Sequence, residues 1–64
     1  MSAARLKFAI DDMAGRYAEA CVVRARVQPG TDAHAAACRR TRRQYRALMR
    51  LTSALAELAV GGTR

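Results

Sequence analysis

Along the first part of the chain, apolar side chains return every three or four positions. Leu6, Ile10, Met13, Tyr17, Ala20 and Val27 follow this spacing, with Arg24 in the one remaining place of the series. That is the helical period, and it predicts a helix with one apolar face over about residues 3–27. A second series occupies the other half. Leu48, Leu51, Leu55 and Leu58 form its main stripe, continued backwards by Tyr45, Thr41, Cys38 and His34. It predicts a second helix over about residues 32–60. Between the two stands QPGTD, at positions 28–32. Proline presets its own φ and glycine accepts a positive one, so the chain turns at 28–31. Thr31 or Asp32 can then cap the second helix, with the Asp32 charge favourable beside its positive end. Ser2 is placed to cap the first helix, and Gly61-Gly62 to stop the second, leaving a frayed tail at 61–64. A connection this short makes the helices antiparallel neighbours. The expected fold is all-α: one antiparallel two-helix hairpin spanning residues 1–64.

Composition changes the picture by making that hairpin thin. Fifteen of the 64 residues are alanine, against one phenylalanine and no tryptophan. Alanine favours helix but buries little surface. Two such faces pressed together leave Phe8, Val22 and Val23 uncovered, and a chain of this size is marginal as a lone hairpin. Two hairpins packed as a four-helix bundle nearly double the apolar burial per chain, so a homodimer is expected. Asp11 and Asp12 interrupt any apolar run of signal-peptide type, and no uncharged apolar stretch approaches the roughly 20 residues that span a bilayer. The expected location is the cytoplasm, with reduced thiols.

Charge adds a candidate surface. The net charge is +7, eleven of the twelve basic residues are arginine, and six of these fall within CRRTRRQYRALMR at 38–50. At 100° per residue, Arg39, Arg42, Arg43, Arg46 and Arg50 share an arc of about 100°, centred almost opposite the leucine stripe. Arg40 alone lies at the margin of the leucine side, where its stem can cover apolar surface while its head reaches water. Like charges four apart cost a helix a few tenths of a kcal/mol per pair. Arg39–Arg43, Arg42–Arg46 and Arg46–Arg50 all bear that cost, with no carboxylate between residues 33 and 56 to relieve it. A GC-rich genome explains arginine over lysine, but not the gathering of six into one short stretch.

A ridge of guanidiniums about 16 Å long can meet several phosphates, and the planar fork of arginine suits them. The expected function is therefore non-catalytic: a regulatory protein binding nucleic acid, RNA or DNA, through phosphate contacts from these five arginines. Base preference is expected to be weak and salt dependence steep. No RNP motif, zinc-finger set, glycine-rich phosphate loop or helix-turn-helix pattern accompanies the ridge. Nor is an aromatic stacking platform apparent, since Tyr45 borders the apolar face and Tyr17 lies within its own stripe. The alternative is an adaptor or inhibitor that binds an acidic helical protein through helix 2, using Leu48, Leu51, Leu55 and Leu58 as well as the charges. A membrane surface ranks below both, given the absence of tryptophan and the alanine-rich remainder. In length and turn position the hairpin resembles the small plasmid copy-control RNA-binding bundles. That likeness is of architecture, with no shared functional motif.

The remaining reactive side chains carry less. Pairing about a turn centred near residues 29 and 30 brings together positions summing to about 59, which sets Cys21 level with Cys38. A disulfide needs Cα atoms within about 7 Å, closer than the usual 8–10 Å between helix axes, so free thiols are expected. His34 precedes Cys38 by one turn, giving C-x12-H-x3-C. Position 18, where a further cysteine would complete a zinc-finger spacing, is alanine. No metal, cofactor or catalytic residue is expected, because the Cys-His pair has neither an orienting acid nor a pocket. Arg24 is expected to lean out towards Asp32, and the acidic patch of Asp11, Asp12 and Glu19 to be solvated or paired with Arg16.

Overall fold

The computed structural model describes residues 2–61. Two helices, α1 (Ala3–Arg26) and α2 (Asp32–Gly61), pack against each other as a hairpin, 50 Å long and about 15 Å across. Both lie within a residue of the expected bounds. Of the expected tail only Gly61 is described, and it is still helical; residues 62–64 lie outside the described residues.

Both helix starts are fixed by local hydrogen bonds. Ser2 is extended, and its hydroxyl accepts from the Arg5 N–H at 3.2 Å, while its carbonyl accepts from the Leu6 N–H at 3.0 Å. The first satisfies an amide that an uncapped helix would leave to water; the second is the helix's own first backbone bond. At the other end of α1, Val27 is extended and ends the helix, with Arg24 and Arg26 in the last turn, where positive charge is favoured. Gly30 takes φ 83°, the one positive φ among the described residues, so the Pro-Gly turn works as its chemistry suggests. Of the two candidate caps for α2, Thr31 fills the role. Its hydroxyl accepts from the His34 N–H at 3.1 Å and donates to the Gln28 carbonyl at 2.7 Å, tying the turn to the helix. Asp32 then sits in the first turn, beside the positive end of the helix.

Small residues are buried where the helices meet. Ala20, Ala37 and Thr41 are all buried, and the Thr41 hydroxyl donates to the Ala37 carbonyl at 2.8 Å. The same hydroxyl lies 3.4 Å from the Ala20 carbonyl of the opposite helix, so the contact is both close and polar-satisfied. Leu6 is the only large apolar side chain buried among the described residues.

Two expectations need correction here. The leucine stripe is not the deepest part of the interface: Leu48, Leu51 and Leu55 are half-buried, and Leu58 is 44% exposed. The register is also offset, because Ala20 meets Thr41 and Tyr17 meets Tyr45, at position sums of 61 and 62 rather than 59. Both have one cause: the chain aligns the residues that let its backbones come closest. Leu58 lines an open apolar recess with Leu6, Leu51 and Ala54 and keeps a solvent-facing side. Phe8, Val22 and Val23 are exposed, as two thin faces require, Phe8 to 77%.

Ala20→Leu should therefore force the helices apart and cost about 1–3 kcal/mol. Ala25→Leu, at an exposed site of the same helix, should change stability by less than about 0.5 kcal/mol. Urea unfolding followed by helical circular dichroism compares the two.

Candidate nucleic-acid interface

An unbroken α2 sets the spacing of the arginines. Arg39, Arg42, Arg43, Arg46 and Arg50 are all exposed, and together with Ala47 they line one shallow recess on the outside of the helix. Arg40 is exposed too, but does not line it. The one ion pair among the described residues is on α1, where Arg16 Nε lies 3.1 Å from Asp12 Oδ2. The five ridge guanidiniums thus have no carboxylate partner among the described residues. The carboxylates of α2 are Asp32 and Glu57, each seven residues beyond an end of the ridge. That is about 10 Å along the axis, comparable to the screening length of about 8 Å at physiological salt. Within α2, therefore, no carboxylate among the described residues neutralises the ridge at contact distance.

A second recess lies between the helices. Tyr17 and Arg24 line it from α1; Cys38, Thr41, Arg42 and Tyr45 line it from α2. The tyrosine rings meet with centroids 5.7 Å apart and planes tilted by 50°, a favourable aromatic geometry. Tyr17 is half-buried and Tyr45 is 48% exposed, so the pair has a solvent-facing side. The Cys21 side chain at the Tyr17 hydroxyl, by hydrogen bonding and then by charge, raises that group above its ordinary 10.0, with Arg24 pulling the other way. Tyr17 is accordingly a neutral phenol at physiological pH. Arg24 is exposed and turned to this recess, and it forms no ion pair with Asp32, contrary to expectation.

Arg42 belongs to both recesses. It joins the outer ridge to the aromatic pair, a continuity that the sequence reading missed. Each tyrosine falls in its own stripe, and a pairing sum of 59 sets them three residues apart. A sum of 62 brings them together.

The thiols and the histidine form a looser group. Cys21 and Cys38 are free and half-buried, and the His34 ring nitrogens lie 3.8 Å from Cys38 Sγ. Among the described residues, no three histidine, cysteine, aspartate or glutamate side chains come together in a group that could hold a metal ion. No described helix is long and apolar enough to cross a membrane.

No protein family, curated protein or solved structure matches the chain. The likeness to the small plasmid bundles thus rests on length and turn position alone.

An unrelieved row of like charges has a measurable signature. Arg46 has Arg42 and Arg50 one turn away on either side, so Arg46→Glu replaces two repulsions by two attractions. It should stabilise the fold by about 1 kcal/mol at low salt, and the gain should shrink at 1 M salt. Thermal unfolding at two ionic strengths measures this; a loss of stability at low salt would contradict the ridge electrostatics.

Proposed function

We propose that this chain is a small, non-catalytic nucleic-acid-binding protein with a regulatory role, docking through α2. Arg39, Arg42, Arg43, Arg46 and Arg50 contact phosphates. The observation that carries this reading is five exposed guanidiniums on one helical face, with no carboxylate partner among the described residues. Such a face is electrostatically costly to its own helix. Contact with phosphates converts that cost into affinity by releasing condensed counterions. The ridge offers charge without base-edge geometry, so it positions a nucleic acid more than it reads one.

The working unit in this proposal is a homodimer. Leu6, Leu51, Ala54 and Leu58 line an open apolar recess, and the hairpin's only buried apolar residues among those described are Leu6, Ala20 and Ala37. A second copy, placed across a twofold axis, covers this surface and completes a four-helix bundle. The same open recess favours a second reading, in which an acidic helical protein covers α2 instead. Sedimentation of the isolated chain discriminates: a stable helical dimer fits the first reading, and a poorly helical monomer that orders only on adding a partner fits the second.

The triple variant Arg42→Gln, Arg43→Gln, Arg46→Gln tests the phosphate contacts. Binding to an oligonucleotide, measured by fluorescence anisotropy across a salt series, should weaken strongly. The slope of log affinity against log salt should flatten by about 2–3, at roughly 0.7–0.9 per lost phosphate contact. Helical content should be nearly unchanged. Unaltered affinity would reject the assignment.

A further inference from the structure

We infer that the nucleic acid is single-stranded where it meets the hairpin, and that one of its bases lies unstacked against Tyr45 in the recess between the helices. This rests on the phosphate-binding reading of the ridge and specifies its ligand.

The recess combines the two chemistries that hold a nucleotide. Tyr17 and Tyr45 supply a neutral aromatic surface, part of it open to solvent. Arg24 and Arg42 stand at the same recess from opposite helices, where they can hold the phosphates flanking an inserted base. Arg42 also lines the outer recess with Arg39, Arg43, Arg46 and Arg50. A strand whose backbone follows the ridge can therefore turn one base inward at Arg42 without leaving positive potential. Aromatic surface beside a cationic track is the arrangement that suits unpaired bases, because every base has a π-face. Bases of an intact duplex are stacked inside it and cannot reach such a recess. A duplex would use the ridge and leave the tyrosines idle.

The other walls are compatible with an apolar ring. Thr41 spends its hydroxyl on the Ala37 and Ala20 carbonyls. Cys38 is half-buried beside the His34 ring. Neither needs a polar partner from the ligand, so stacking rather than base-edge readout holds the base, and preference among the bases is weak.

The chain carries its own reporter. It has no tryptophan, and its only two tyrosines are both in this recess. The experiment titrates the whole protein with three probes: a short oligothymidylate, an abasic strand of equal length, and a duplex of equal length. Tyrosine emission reports the recess, and anisotropy of an end-labelled probe reports binding. The oligothymidylate should bind about tenfold or more tighter than the abasic strand, and it alone should quench tyrosine emission. Tyr45→Ala should remove that preference while leaving affinity for the abasic strand unchanged, which a merely unfolded variant would not do. Equal affinity for all three probes, with tyrosine emission unmoved, overturns the inference and leaves the phosphate ridge standing. Tighter binding of the duplex overturns it equally. Failure of every probe to bind, in low salt, overturns the ridge reading along with it.

Discussion

Two helices so rich in alanine hold together only if their backbones come close, and Ala20, Ala37 and Thr41 are where they do. Dispersion falls off steeply with separation, so small side chains contribute only when the gap between helices is small. The Thr41 hydroxyl makes that approach tolerable by finding acceptors at Ala37 and Ala20. Left unsatisfied, a buried hydroxyl would cost about 1–3 kcal/mol. Everything else about the hairpin's geometry follows from this contact. It sets the register, the register brings Tyr45 to Tyr17, and it places Arg24 at the same recess as Arg42.

The same contact explains how α2 tolerates its arginines. A free helix with three like-charged pairs one turn apart would lose helical content. Here α2 is anchored at its start by Thr31, which binds the turn and the first turn of helix together. Along its inner face it is held by Ala37, Thr41 and the half-buried leucines. Local propensity and global packing therefore disagree along residues 39–50, and packing prevails. Such disagreements are expected where a sequence serves something other than its own stability.

Much of this was legible in the sequence. Pro29-Gly30, Ser2 and Thr31 act through backbone chemistry that needs no tertiary information, so both helices and the turn could be placed to within a residue. The arcs on the helical wheel were equally local, and the five ridge arginines are exposed together. What failed was whatever depended on how the helices slide past each other. The turn centre gave a pairing sum of 59, but a hairpin's register is fixed by where the interface packs best, not by the midpoint of its loop. An error of two or three residues is most of a helical turn. It was enough to hide the meeting of Tyr17 with Tyr45.

Helical period also decides whether the proposed surfaces compete. Taking Ala37 as the inward direction, Tyr45 lies about 80° to one side and Leu51 and Leu58 about 40° and 60° to the other, at 100° per residue. The ridge arginines fill the outer arc between these edges. Arg42 stands nearest the tyrosine edge, and Arg43 nearest the leucine edge. A second copy seated on Leu51 and Leu58 would approach from the side away from Tyr45, leaving the aromatic recess and Arg42 open. The arginine nearest such a partner on the wheel would be Arg40, at about 60° on the leucine side, with Arg43 the nearest of the ridge, and the twofold axis would bring their counterparts towards the same seam. Dimerisation then concentrates positive charge at the junction of the two hairpins instead of relieving it. A polyanion lying across both ridges supplies the missing counter-charge, so in this arrangement assembly and nucleic-acid binding reinforce each other.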